Sequence, residues 1–533
     1  MADNATPGTW AWLSQNGTAW QNENWAQVTS GLQWGHTYTW VIFTFDGVAW
    51  NLAPQAQWGS FTPQPGTATT GSDQVGLEDF YPYRGFDLGQ GTALANMANG
   101  NLVIQHQDFN VPGQGLNMRL VRTYNSSTAD ETTPGPLGKG WRLGVLEGES
   151  SGGTLGIDLL QTVNLLFANH GATAYDQKVF VLTDIDGTRH TFVRNATNAW
   201  QSPPGVNLKL TDTSGPDYTF TRPDGVYFTF AAPLLSNKYR LDRLGDRKGN
   251  FLKFTYTADQ SKLTAITDNY QRKLAFTQPA DRITQVVFTD PARPADSLTT
   301  NYGYDSSARL QAVTEAAGKP EARSTGYVYG ATNALIDKVT DARGASTAFT
   351  FTSGKLSALK DRAGQNWGFA GCTPALGAAA AICLTDPEGK AEVWSRNAAS
   401  NLVALRDAGD VDASGNPRFN TQKYEWTNNR LTKAIDQKGN ETTYGYTDLG
   451  SIKSVTRPGG DDSALTTTLA YVVAGSLGAE DMVKSTTGDR VYQFARNTDG
   501  TLNHVINPEN NMTAFHYHLS LSNPVRTGLL HKV

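Results

Sequence analysis

A short turn phrase recurs through the second half of this chain and constrains its fold more than any single residue. The phrase runs aliphatic, spacer, aliphatic, spacer, Asp, two residues, Gly, then an alternating aromatic run. Copies read RLDRLGDRKGNFLKFTY at 240–256, LIDKVTDARGASTAFTF at 335–351, KLSALKDRAGQNWGF at 355–369 and RLTKAIDQKGNETTYGY at 430–446. Asp341 to Asp361 is 20 residues, Asp386 to Asp407 is 21 and Asp246 to Asp268 is 22, while insertions stretch Asp361–Asp386 to 25 and Asp407–Asp436 to 29. A period near 20 fits two strands of about six residues and two turns. Aspartate can accept a hydrogen bond from the backbone two residues on, and glycine supplies the positive φ that closes the turn. The pairs Asp246/Gly249, Asp341/Gly344, Asp361/Gly364, Asp386/Gly389 and Asp436/Gly439 are therefore read as structural turn residues. Their flanks alternate, with Phe251, Lys253 and Thr255 opposite Leu252, Phe254 and Tyr256, which is the period of a strand. Two copies have drifted: Asp268 is followed by Gln271 in place of Gly, and Glu315 takes the Asp slot in RLQAVTEAAG.

Composition excludes several classes. Charged residues are 17% of 533, the net charge is −5, and no run of Lys or Arg appears, so an electrostatic nucleic-acid footprint is absent. No stretch of 18 apolar residues predicts a membrane span. No signal peptide precedes MADNATPGTWAW, a start that looks cut into a domain. No long amphipathic helix is expected, and the alanine-rich stretch 377–381 reads as loop or one helical turn.

The repeats resemble the Rhs or YD-repeat family, on TAITDNYQRKLAF, KVTDARG and NYGYDSSARLQAV. Residues 80–142 resemble the segment that opens the shell in bacterial Rhs proteins. The landmarks are Gly100-Asn101-Leu102-Val103, Val111-Pro112-Gly113-x-Gly115, Arg122-Thr123-Tyr124-Asn125-Ser126 and Gly135-Pro136-Leu137-Gly138-x-Gly140-Trp141. Residues 1–63 hold eight of the thirteen tryptophans and resemble the last strands of a fibronectin type III-like sandwich, with Asp46-Gly47 as a turn and Trp58-Gly59-x-Phe61 as the final strand. The expected organisation is a partial sandwich at 1–63, a Pro/Gly/Ser/Thr linker at 64–79, a shell-opening segment at 80–233 and a repeat array at 234–533. The expected fold is all-β: antiparallel hairpin repeats coiling into a hollow Rhs/YD-type barrel shell, closed or open and half-wound, after the partial β-sandwich.

No catalytic, cofactor or metal residues are assigned. Asp386-Pro387-Glu388-Gly389 matches half of the paired D-P-x-G motif by which Rhs shells release a C-terminal toxin. Such chemistry needs two carboxyls, and residues 408–411 read Ala-Gly-Asp-Val where the second would fall, so a repeat turn is expected. His516 and His518 alternate onto one strand face with no third ligand evident. Asp46-Gly47, Asp186-Gly187, Asp224-Gly225 and Asp499-Gly500 read as hairpin turns, since calcium needs six to eight oxygens. Gly113-Gln114-Gly115 precedes no helix pattern, which rejects a phosphate loop. Trp34, Trp40 and Trp58 are read as sandwich core in preference to a sugar-binding face. Cys372 and Cys383 are either two free buried thiols or one local disulfide in an exported protein; their closeness in one insertion favours the bridge.

The resemblance implies a non-enzymatic shell segment that encapsulates a C-terminal toxin absent from this chain, in a bacterial secreted or cell-surface protein without cofactor. The other reading is an adhesin holding glycans or protein partners. Because the chain ends at HKV without the closing motif of the shell, it is expected to be the front part of a longer polypeptide.

Overall fold

The computed structural model describes most of residues 70–517, with breaks at 73–74, 79, 114–115, 132–134, 146–156, 159–162, 170–175, 196, 198, 213–216, 236–237, 260, 332, 376, 412–416, 460–463 and 475–477. Outside that range it describes short strand stretches between residues 2 and 61 and residues 530–532. Two compact units divide the chain: Met1–Thr69 with Leu165–Val179 and Val193–Ala199, and Thr70–Asn164 with Phe180–Phe192 and Trp200–Val533.

In the first unit, Tyr38–Trp40 pairs antiparallel with Ala2–Asp3 on one side and with Gly59–Phe61 on the other, and Phe43–Phe45 pairs with Trp50–Leu52. The Asp46-Gly47 turn, Trp34 and Trp58 lie outside the described residues.

The second unit opens with a six-stranded antiparallel meander: Tyr83–Asp87, Thr92–Asn96, Leu102–Val111, Met118–Asn125, Trp141–Val145 and Ile157–Asp158. The landmarks around residues 100–141 build its centre. Leu102, Val103, Tyr124 and Trp141 are almost wholly buried. A compact aromatic core follows, with Phe220 edge-on to Phe192 at 5.0 Å and tilted against Phe180 at 5.0 Å. There Val163 and Asn164 pair with Tyr239 and Lys238.

From Lys209–Asp212 to Met512–Ala514 each strand then pairs antiparallel with the next in sequence. The repeat phrase explains why. At each turn the Asp carboxylate accepts the N–H groups two and four residues on, as Asp341 does from Arg343 and Ala345 at 2.9 Å each. Gly344 N–H closes onto the Asp341 carbonyl at 3.0 Å, and Gly344 sits at φ +83. This is a type I turn closed by a left-handed residue, a three-residue hairpin loop. Asp246, Asp361, Asp386 and Asp436 repeat the carboxylate bonds, with Gly249, Gly364, Gly389 and Gly439 at φ +83 to +87.

Three expectations are corrected here. Asp407 lies inside strand Leu402–Val411 and not in a turn. The turn in that copy belongs to Asn397, whose Oδ1 accepts Asn401 N–H at 3.0 Å, because an amide oxygen serves as well as a carboxylate. Glu315 ends strand Leu310–Glu315 and its carboxylate leaves the turn for His106. The alanine-rich stretch is not all loop, since Ala380 and Ala381 open strand Ala380–Thr385.

A second recurring element fastens neighbouring strands. Tyr304, Tyr329 and Tyr446 donate their hydroxyls to the carbonyls of Ile283, Leu310 and Leu431 at 2.6, 2.7 and 2.8 Å. The arginine just before each carbonyl lies over the ring: Arg282 at 5.9 Å, Arg309 at 4.9 Å and Arg430 at 5.9 Å. The repeated Arg-Leu and Tyr are thus one clamp, each cation–π contact contributing about 0.5–1 kcal/mol at such sites.

Candidate functional site

Chemistry-bearing side chains gather at two buried polar junctions, both in the second unit. The first lies where Ser72 and residues 75–78 meet residues 184–190. Ser72 stands opposite His190 in the ladder, so both side chains share one face, and Ser72 Oγ is 2.8 Å from His190 Nδ1. The other ring nitrogen, Nε2, faces Glu78 Oε1 at 3.1 Å and Asp184 Oδ2 at 3.6 Å. His190 is fully buried, and Glu78 and Asp184 nearly so. Asp186 is spent on the backbone, accepting N–H groups of Thr188 at 2.8 Å and of Leu77. A Cβ on Gly76 would fall 1.7 Å from Asp186 Oδ2, so only glycine fits that approach.

Asparagines of the landmarks hold the incoming segment. Asn96 Nδ2 donates to the Gly76 carbonyl at 2.8 Å, Asn101 Nδ2 to Val75 at 2.6 Å, and Asn125 Nδ2 to Asp186 at 2.8 Å. Burial raises the Asp184 pKa, with Asp186 and Glu78 adding to it against the opposing contact with His190. Burial disfavours the imidazolium of His190, but the charge of Glu78 and the contact with Asp184 outweigh it and raise its pKa.

The second junction joins the meander to the array. Arg122 pairs with Asp108, and its Nε and Nη2 donate to Tyr327 Oη at 3.2 and 3.1 Å. Tyr302 Oη donates to Asp108 Oδ2 at 2.6 Å, and His106 meets Glu315. Trp141 Nε1 donates to Tyr329 Oη at 2.8 Å, and Tyr124 Oη to the Ala334 carbonyl at 2.8 Å. Burial and the Arg122 charge hold His106 down at about 4, although Glu315 pulls the other way. The RTYN and GW landmarks are therefore docking residues.

The order Ser72, His190, carboxylate resembles a nucleophile relay, but the ring is enclosed and a substrate carbonyl has no approach. The residues singled out from sequence lie elsewhere. Cys372 and Cys383 have their sulfurs 2.12 Å apart and Cα atoms 5.8 Å apart. Asp386 sits in a repeat turn, its Oδ1 accepting Glu388 and Lys390 N–H. Asp186-Gly187, Asp224-Gly225 and Asp499-Gly500 close tight turns. His516 is in a strand, and His518 lies outside the described residues. Sequence reasoning missed Glu78, Asp184, His190, His106, Asp108 and Arg122, because Glu78 meets His190 and His106 meets Glu315 only across more than a hundred residues of chain. The available signals were the second acid in Asp184-Ile185-Asp186-Gly187 and the charged member of Arg122-Thr123-Tyr124-Asn125.

Residues 95–147 match DUF6531, a domain of unknown function. The chain is similar to the tRNA nuclease WapA of Bacillus subtilis strain 168, 25% identical over 415 residues that cover 74% of this chain and 14% of that protein. It is also similar to the tRNA3(Ser)-specific nuclease WapA of Bacillus spizizenii, 26% identical over 195 residues covering 36% and 7%. The matched part thus spans about a seventh of the Bacillus subtilis protein's length. Among solved structures, the crystal structure of TcdB2-TccC3 aligns with a TM-score of 0.32 at 10% identity, covering 80% of this chain and 26% of that one. The Photorhabdus luminescens Tc holotoxin pore structure aligns with a TM-score of 0.34 at 10% identity, covering 70% and 22%. Hairpin turns of one recurring chemistry, strands paired in sequence order and the similarity to WapA agree with the resemblance of the repeats to Rhs/YD-repeat proteins.

Proposed function

We propose that this chain is a shell segment of an Rhs/YD-type protein that surrounds a toxic domain carried elsewhere on the full-length polypeptide and has no catalytic activity of its own. The observation that carries this reading is the return of the strand strip on itself. Arg247, in an early repeat turn, grips Asp481 of strand Ala479–Thr487 through Nη1 and Nη2 at 2.8 and 2.6 Å. In this reading, a strip that meets its own beginning encloses a space.

The faces of the late strands support a cavity too. From residue 430 onward described side chains are mostly half-buried or exposed, with Val473 67% and Met512 65% exposed, whereas Leu359 and Leu384 nearer the meander are buried. The relatives' names carry tRNA nuclease activity, and a match limited to 14% of the Bacillus subtilis protein is consistent with that chemistry residing outside the matched part.

In this reading residues 1–63 form a sandwich module, 64–79 a linker, 80–233 the opening of the wall and 234–533 the wall. The protein acts outside the cytoplasm, where the Cys372–Cys383 bridge persists. Small-angle scattering and particle imaging of the purified chain test the enclosure. A filled globule of 533 residues has a radius of gyration of roughly 24 Å. A larger value with a low-density centre is expected. The filled value, together with saturable binding on a glycan array, overturns the reading in favour of an adhesin.

A further inference from the structure

The junction at His190 has a feature that wall-building does not require. We propose that Glu78, Asp184 and His190 form a site for one divalent cation of the zinc class, which fastens the segment around Glu78 to the turn at residues 184–190.

The geometry is that of a metal cradle. Glu78, Asp184 and His190 each offer one ligand atom, and these atoms lie within 4.8 Å of one another. The Nε2 separations of 3.1 and 3.6 Å bracket the edge of a tetrahedron with metal–ligand bonds of ~2.1 Å, which is about 3.4 Å. His190 Nε2 is fully buried and makes no hydrogen bond, although it points between the two carboxylates. A buried nitrogen that faces two carboxylates at ion-pair distances without a hydrogen bond to either is placed as a metal ligand is.

The rest of the pocket prepares the donors. Ser72 Oγ, 2.8 Å from Nδ1, can hold the Nδ1 proton and leave Nε2 as a bare lone pair, the arrangement that orients metal-binding histidines. Asp184 Oδ1 is occupied by the Ile185 N–H at 2.6 Å, which aims Oδ2 at the ring. Asp186 is not a ligand, since both of its oxygens already accept backbone N–H groups.

Ligand chemistry selects the ion. One imidazole nitrogen and two carboxylate oxygens suit zinc and its neighbours, whereas calcium takes six to eight oxygens and magnesium keeps its waters. The enclosure leaves no route for a substrate, so the ion acts as a fastening.

The test is calorimetric titration of the chelator-treated, dialysed full chain with zinc chloride, alongside its thermal midpoint. One equivalent is expected to bind and to raise the midpoint. Glu78→Gln and Asp184→Asn keep shape and remove charge, and each is expected to weaken binding at least tenfold with the zinc-dependent shift lost. Ser72→Ala is expected to weaken binding 10–100-fold. Circular dichroism of the variants separates lost binding from lost folding, and cobalt substitution gives an absorption signature of the coordination sphere that is read without reference to stability. No stoichiometric zinc binding, or binding unchanged in both carboxylate variants, overturns the proposal. An equal midpoint shift with calcium overturns the zinc-class assignment.

Discussion

At the scale of single residues the repeat is a matter of one backbone conformation. Gly344 has open space around an added Cβ, so a side chain there costs only the left-handed φ. Gly344→Ala is expected to destabilise by about 1 kcal/mol, read as a lower urea midpoint. Gly326 is the control: it also has open space and no positive φ, so Gly326→Ala in strand Arg323–Tyr329 is expected to stabilise by about 0.5 kcal/mol. Turns that lack glycine bear the same strain, with Gln271 after Asp268 at φ +63 and Ala308 after Asp305 at φ +61. His106 supplies a pH dependence. Its pKa is held at about 4 in the fold against an ordinary 6.5, so the unfolded chain takes up the proton first as pH falls. The contribution is complete above pH 6.5 and is lost down to about pH 4, amounting to roughly 3 kcal/mol. Asp108, Arg122, Tyr302 and Glu315 surround the ring. Urea midpoints at pH 7 and pH 5 should differ in the native chain, and His106→Gln should remove the His106 part of that difference.

At the scale of elements the tyrosine clamp has two grades. Tyr329 Oη both accepts from Trp141 and donates to Leu310, so Tyr329→Phe strands a buried indole N–H and a carbonyl. A loss of about 2–3 kcal/mol is expected. Tyr446 makes only the carbonyl bond on a more open strand, and Tyr446→Phe should cost about 0.5–1 kcal/mol. Hydrogen exchange of strand Leu310–Glu315 against that of Arg430–Ile435 would resolve the two. The hairpins themselves were legible in the sequence, because Asp341-x-x-Gly344 and the alternation after it are local. The docking of the meander was not. Arg122 and Tyr327 are 205 residues apart, and neither has a pattern that names the other.

At the scale of the whole wall, the meeting of early and late strands includes a buried ion pair. Arg247 and Asp481 are both largely buried, with Arg496 at 4.0 Å as a second, weaker partner for the carboxylate. Arg247→Ala leaves Asp481 short of a cation and is expected to cost about 2–3 kcal/mol. It should raise hydrogen exchange in strand Ala479–Thr487 while strands beside the meander stay protected. Equal loosening of both regions would mean that the strip unfolds as one cooperative unit and that this contact does not act locally.

What the sequence determined by itself was everything with a short period. Two-residue alternation makes strands, Asp-x-x-Gly makes a hairpin turn within five residues, and Arg-Leu followed by Tyr sets up a clamp between neighbouring strands. Tertiary structure alone decided what lies on either side of that strip. Glu78, Asp184 and His190 reach one pocket because a connecting segment is laid against a hairpin more than a hundred residues away. Glu315 left its turn for the same kind of reason: His106, delivered by another sheet, outcompeted the backbone N–H groups beside it. Local hydrogen bonds follow from neighbouring residues, but the partner of a buried charge is whichever group the fold brings within reach, and no period in the chain encodes that distance.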